Sequence, residues 1–174
     1  MTALGRPAAP VASPFDLEGQ KRFEAEFEKA VAKYPAERRK SALLAALHAA
    51  QDILGWLPEV AMEYVGYRLD VPPVRVREVA TFYTMYRLRP TGRHHIEICN
   101  SISCWAMGSE KLFRRCEEKL GIRRGEKTND GRFSLGEVAC LASCGTAPAV
   151  LVDNYRYVEE MTPEKIDKLI EDLG

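Results

Sequence analysis

The chain has 174 residues, 46% hydrophobic and 29% charged, the composition of a soluble globular protein with room for one domain or two small ones. Its 25 basic and 25 acidic side chains cancel, which removes the electrostatic basis for binding nucleic acid or an anionic lipid surface. No apolar run approaches the ~18 residues that cross a bilayer, and Pro7, Pro10 and Pro14 interrupt any signal-peptide core in an Ala- and Pro-rich start. The expected compartment is therefore the cytosol. Thiols stay reduced there, and close cysteine pairs are read as metal ligands or redox groups before disulfides.

Residues 1–15 are expected to form a flexible arm. From Asp16 the apolar residues Phe23, Phe27, Ala30, Val31 and Tyr34 recur at three- and four-residue steps, which predicts an amphipathic helix that Pro35 ends. A second helix is predicted over 36–54, with Leu43, Leu47, Ala50 and Leu54 on one face and Gly55 as its stop. Pro58 suits the first turn of a third helix, reaching Leu69 and burying Val60, Tyr64 and Tyr67. After the break at Asp70-Val-Pro-Pro73, a fourth helix over 74–83 buries Val76, Val79 and Ala80. Four amphipathic helices without a partner sheet must pack on one another, so residues 16–90 are expected to be a helical bundle.

Beyond Thr91-Gly92 the period changes. His94-His-Ile-Glu-Ile98 alternates as a strand and delivers Cys99 at its end. Residues 107–120 read as a helix with Leu112, Phe113, Cys116 and Leu120 inward and Gly121 as its stop. Asn129-Asp-Gly131 signals a turn, residues 133–139 a second strand ending at Cys140, and Ala149-Val-Leu-Val152 a third. Asp153-Asn154 turns that strand into a fourth over 155–158. Thr162 and Pro163 begin a last helix with Ile166, Leu169, Ile170 and Leu173 on its apolar side. The fold class is thus α+β: a helical bundle followed, over 91–174, by an α/β layer sandwich.

Four of the five cysteines form two close pairs, Cys99 with Cys104 and Cys140 with Cys144, each in a loop just after a strand. Four thiolates held by a rigid sheet are the ligand set of an iron-sulfur cluster or a structural zinc, and the spacing alone leaves both open. Catalytic disulfide exchange would want Cys-x-x-Cys at a helix start, which neither pair supplies. Cys116 occupies a core position of its helix and is read as a buried, inert thiol.

A resemblance covers about residues 16–174. It is carried by Ala46-Leu-His-Ala-Ala-Gln51, Gly55-Trp-Leu-Pro58, Val79-Ala-Thr-Phe-Tyr-Thr-Met85, the Cys99-x4-Cys104 pair, Asp130-Gly-Arg-Phe133 and Glu137-Val-Ala-Cys-Leu-Ala-Ser-Cys-Gly-Thr-Ala-Pro148. In these motifs and their order the chain resembles the thioredoxin-like 2Fe-2S subunit of the NADH-dehydrogenase module of respiratory complex I, a family that also serves NAD-linked hydrogenases and formate dehydrogenases. The resemblance implies a 2Fe-2S cluster on Cys99, Cys104, Cys140 and Cys144, the first pair on one iron and the second on the other. It implies a thioredoxin-like fold for 91–174. It implies single-electron exchange with the FMN of a partner subunit that also binds NADH, and a neighbouring large iron-sulfur subunit. It further implies no catalytic site in this chain and no direct insertion into the membrane. The protein would be cytoplasmic, peripheral on the inner face of an energy-transducing membrane, within a quinone-reducing translocase. The absence of a Gly-rich dinucleotide loop agrees with NADH binding elsewhere.

The chain departs from the family around the ligands. Asn100-Ser-Ile-Ser103 stands where Thr-rich residues and a Pro are usual, Cys-Leu-Ala-Ser-Cys stands for Cys-Leu-Gly-Ala-Cys, and Trp105 stands for a smaller residue. Ser101, Ser103 and Ser143 are read as donors to sulfur that raise the reduction potential, and Trp105 as a shield against water. On this reading Ser143→Ala lowers the potential. His94 and His95 point to opposite faces of their strand and are read as surface or interface residues, and His48 as a packing residue. Phe82, Tyr83, Met85 and Tyr86 are read as core between the domains, and Arg87, Arg89 and Arg93 as a solvated basic patch. In the thioredoxin-like folds that the chain resembles, a proline in the position of Pro148 is often cis, and the resemblance implies the same here.

Two functions from other classes compete. Residues 58–83 outline a helix-turn-helix with Arg75 and Arg77 on the second helix, the mark of a zinc-stabilised DNA-binding protein, although that helix ends apolar and aromatic. A free-standing ferredoxin would need only the sheet domain, and the helical domain argues against it.

Overall fold

The computed structural model describes residues 11–174, so most of the expected arm lies outside the described residues. The chain divides into two compact units between Pro90 and Thr91.

The first unit is helical. Helix α1 (Leu17–Val31) is opened by Asp16, whose carboxylate accepts the Gly19 N–H at 2.7 Å. Phe23, Phe27, Ala30 and Val31 are its buried face, while Tyr34 lies beyond the helix and is exposed. The chain is already packed before Asp16: Phe15 stacks on Phe23 at 4.8 Å and meets Tyr64 edge-on. The single helix expected over 36–54 is instead a 3₁₀ stretch, Ala36–Ala42, with non-helical dihedrals at Arg38, followed by α2 (Leu43–Leu54). The apolar period that pays for an α-helix starts only at Leu43; the preceding Glu-Arg-Arg-Lys run has nothing to bury. Gly55 closes α2 in the left-handed conformation, with its N–H donated to the Gln51 carbonyl.

Helix α3 (Glu59–Leu69) turns a different face inward from the one expected. Ala61, Met62, Tyr64, Val65 and Leu69 are buried, whereas Val60 and Tyr67 are exposed. Helix α4 (Pro73–Phe82) buries Val76 and Ala80, and Val79 packs at their edge. The aromatic run after it is unevenly covered within the unit. Phe82 is 77% exposed, Met85 is exposed, and only Tyr86 is buried, inside the helical unit, where its hydroxyl donates to the Leu44 carbonyl at 2.8 Å. His48 packs beside it, with Nδ1 3.1 Å from the Leu44 carbonyl. A partly buried cluster ties α1 to α3: Arg68 is held in a bidentate bond by Glu24 and lies over the Phe27 ring at 4.4 Å.

The second unit is a four-stranded sheet in the order β2-β1-β3-β4. Strand β1 (His94–Cys99) pairs parallel with β2 (Phe133–Val138) and antiparallel with β3 (Val150–Val152), which pairs with β4 (Arg156–Val158). The parallel pair is crossed by α5 (Ile102–Ala106) and α6 (Ser109–Leu120), and α7 (Pro163–Leu173) follows β4. Asp153 and Asn154, both at positive φ, form the two-residue turn of the β3–β4 hairpin. Alternation along β1 sorts its side chains. Ile96 and Ile98 join Leu135, Val150 and Val152 under Leu112, Phe113, Cys116, Ile166 and Leu169 of the two helices. His95, Glu97 and Cys99 therefore look the other way. Arg115 of α6 clamps Asp167 of α7 through two N–H groups at 2.9 and 2.7 Å.

His95 is buried and His94 is partly covered. His94 Nδ1 lies 3.0 Å from Asp153 Oδ2. His95 is only 9% exposed, with Nδ1 2.7 Å from the Ser134 hydroxyl. Room for its ring exists because residue 136 is glycine, where an added Cβ would meet His95 Nε2 at 2.8 Å. An alternating strand with two covered faces buries both parities, which a pattern read as half-exposed does not anticipate.

Candidate metal centre

The sheet places the first cysteine pair. Cys99 is the last residue of β1; its N–H donates to the Ala149 carbonyl at 3.0 Å, and the next N–H, of Asn100, donates to the Val138 carbonyl at 2.9 Å. The strand is thus gripped on both sides where it delivers the sulfur. The chain then turns into α5, which carries Cys104 back beside Cys99. Both cysteines are 1% exposed, and they pack with Leu141, Ala147, Ala149 and Leu151. That apolar group lies on the sheet face opposite the helices.

The second pair sits on the loop after β2. Cys140 and Cys144 are exposed, while Leu141 between them is buried against Cys99 and Cys104. One side chain therefore pins the second loop onto the first pair. Ala142 occupies the left-handed region at φ 59°, and in that turn its N–H points back to Cys140 Sγ at 3.3 Å. A short 3₁₀ turn, Cys144–Thr146, leads into the cis peptide bond between Ala147 and Pro148, as the resemblance implies, and then β3.

Backbone and hydroxyl donors surround these sulfurs. Burial raises the Cys99 thiol, but the Ser101 hydroxyl and the Leu141 N–H outweigh it and hold Cys99 below the ordinary thiol range. Cys104 is pushed up, chiefly by burial and further by Cys99 itself, against the Ala149 N–H. Cys116, in the helical core far along α6, is pushed up to about 12 by burial and has no part in the site.

The chemistry of the donor set fits a 2Fe-2S cluster. All five cysteines are free thiols, and four of them come as two pairs that meet across Leu141. A binuclear cluster takes two protein thiolates per iron, and that is the grouping present.

Two sequence expectations about this site are corrected. Ser143 does not reach a sulfur: its hydroxyl is 3.5 Å from the Leu141 carbonyl and also bonds Glu159. Trp105 is 60% exposed, so water is kept from Cys104 by the packed Leu141, Ala147 and Ala149. Four backbone donors went unrecognised, the N–H groups of Ser101, Leu141, Ala142 and Ala149. Backbone donors carry no residue signature, and only the positive φ forced on a non-glycine marks one of them.

Residues 27–174 match the family described as thioredoxin-like 2Fe-2S ferredoxin. The chain belongs to that family. It carries a 2Fe-2S cluster and has the thioredoxin-like α+β fold expected of it. The zinc-stabilised DNA-binding reading is thereby set aside. The Arg77 guanidinium, which that reading would place on DNA, donates from one nitrogen to both carboxylate oxygens of Glu59, at 2.9 and 2.8 Å. Among relatives, an NADH-quinone oxidoreductase subunit of Rickettsia bellii is 46% identical over 147 residues, 84% of this chain and 87% of the relative. An NADH-quinone oxidoreductase subunit of Thermus thermophilus is 38% identical over 146 residues, 84% of this chain and 81% of the relative. Among solved structures, an NAD+-reducing NiFe hydrogenase in its air-oxidised state superposes with a TM-score of 0.65 at 29% identity over 75% of this chain. This chain spans 22% of that hydrogenase chain. The chain is thus a 2Fe-2S electron-transfer protein homologous to a subunit of NADH-quinone oxidoreductase.

Proposed function

We propose that this chain is the electron-transfer subunit of an NADH:quinone oxidoreductase, and that Cys99, Cys104, Cys140 and Cys144 hold its cluster, one iron on each pair. The cluster supplies one-electron redox chemistry. The chain's residues do the rest. β1 and the Leu141 anchor fix the sulfurs, the apolar group around Cys99 and Cys104 excludes water, and the donors on sulfur stabilise negative charge. The reading rests above all on the coincidence of a two-plus-two cysteine site with 46% identity to an NADH-quinone oxidoreductase subunit.

The electron partner in this proposal is the FMN of a subunit that binds NADH, with a large iron-sulfur subunit completing the module. No titratable group or open pocket beside the sulfurs is needed for such a role. An exposed apolar strip on and after the helix that carries Cys104, formed by Ile102, Trp105 and Met107, supports a covering protein surface at this end of the sheet. Among the described residues no helix is long and apolar enough to cross a membrane, and attachment to the membrane would come through partners. The helical unit, which a diffusing carrier does not need, would serve as docking bulk. A diaphorase subunit of an NAD-linked hydrogenase is the second reading, favoured by the superposition on the hydrogenase. It stands second because identity to the quinone oxidoreductase relatives is higher, 46% against 29%.

Stopped-flow mixing of the cluster-loaded chain with its NADH-reduced flavoprotein partner tests the proposal. The visible absorbance of the cluster should bleach by one electron per chain. No bleaching, with a cluster that dithionite still reduces, would refute the flavin partnership.

A further inference from the structure

We propose that the Ser101 hydroxyl is a redox-tuning donor to the first pair of cluster ligands, raising the one-electron reduction potential of the site. The inference rests on the reading of the four cysteines as ligands. Ser101 stands two residues after Cys99 and opens the short helix that carries Cys104. A serine in that place ordinarily turns its oxygen to accept an N–H from the first turn of the helix. Ser101 makes no such bond. Its Oγ is turned instead to Cys99 Sγ, 3.4 Å away.

The direction of that bond depends on ligation. With the thiol protonated, S–H donates and the hydroxyl oxygen accepts. A thiolate bound to iron has no proton to give, so the bond persists only if O–H donates to sulfur. A hydroxyl rotates freely about its C–O bond, and the reversal needs no movement of heavy atoms. Reduction adds an electron and increases negative charge on the ligand sulfurs. A donor aimed at such a sulfur therefore favours the reduced state over the oxidised one. The effect is strong here because Cys99 and Cys104 are sealed from solvent, and no water stands ready to replace a deleted hydroxyl. Ser143 differs in kind, since its hydroxyl is spent on the Leu141 carbonyl and Glu159.

The test is a potentiometric titration, followed by electron paramagnetic resonance, of the full-length chain with its cluster loaded. Wild type is compared with Ser101→Ala, Ser101→Thr and Ser143→Ala. Ser101→Ala should lower the equilibrium constant for reduction on the order of tenfold, which for one electron is a fall of about 59 mV. Ser101→Thr, which keeps the hydroxyl, should stay near wild type, and Ser143→Ala should not move. Electron-nuclear double resonance in deuterated buffer should lose one exchangeable coupling in Ser101→Ala and keep it in Ser101→Thr. If Ser101→Ala fails to take up iron, Ser101→Val against Ser101→Thr, equal in shape, carries the same comparison. A fully loaded Ser101→Ala with wild-type potential overturns the inference, as does an equal fall in Ser101→Thr. A wild-type chain that takes up no iron fails at the earlier step, the assignment of the ligands.

Discussion

Cys99 and Cys104 are buried, delivered by a strand end and a helix, and bonded by neighbouring donors as bare thiols; Cys140 and Cys144 are exposed on a loop that one leucine holds down. The first pair is a product of the fold. Its geometry is set by the same ladder bonds that make the sheet. The second pair owes its place to Leu141 and to a left-handed residue, both local features. The contrast teaches that two neighbouring cysteine pairs can be held in place by different means. One pair is built into the core, while the other rides on a loop with a single buried anchor.

The comparison breaks first on ligand deletion. Replacing any one of the four cysteines by alanine should reduce iron from two per chain to near zero, by metal assay. The metal-free proteins should then separate: Cys104→Ala should cost about 1 kcal/mol in urea unfolding, for lost buried packing, and Cys144→Ala within about 0.5 kcal/mol of nothing. Equal costs would erase the distinction between the pairs. Next in size is chemical access. In the metal-free chain, alkylation followed by mass spectrometry should label Cys140 and Cys144 at least about tenfold faster than Cys99, Cys104 and Cys116.

Leu141→Ala tests the single anchor. It should destabilise the sheet unit by about 2 kcal/mol, at the lower end for a buried leucine because a loop relaxes readily, and should expose Cys99 to alkylation. Cys116 supplies the reference for a thiol with burial and nothing else. Its raised folded value leaves it protonated where the unfolded chain has already ionised. Above the ordinary thiol range, about 8.5, the unfolded state binds fewer protons and stability falls as pH rises toward 12. The contribution is complete below that range and declines by at most ~1.4 kcal/mol per pH unit above it. Cys116→Ala should flatten this limb of the stability–pH curve. The smallest effect is expected at Ala142, where glycine tolerates the positive φ: Ala142→Gly should stabilise the loop by about 1 kcal/mol or less, without altering iron content.

What the sequence disclosed follows the range of the signal. Strands β1 and β2, the Asp153-Asn154 turn, the cap Thr162 and the stops Gly55 and Gly121 are local, and each stands where the residues predicted it. Four ligand candidates in two pairs were legible because cysteines with such spacing have few other uses. The face of α3 was not, since Val60 and Tyr67 look as apolar as Ala61 and Met62, and only the neighbours in space decide which side is covered. Burial of His95 was hidden for the same reason, its partner Ser134 lying on another strand. The α5 helix between the ligands is too short to show a period. Of three serines named as donors to sulfur, only geometry separates Ser101, turned away from its helix, from Ser143, turned to a carbonyl.

The most direct test of the central claim is electron paramagnetic resonance of the purified chain after dithionite reduction, with iron and zinc assayed on the same sample. The account predicts a rhombic or near-axial signal from one spin per two irons, and no stoichiometric zinc. A silent sample that holds zinc near one per chain, and takes up no iron on anaerobic reconstitution, would contradict it.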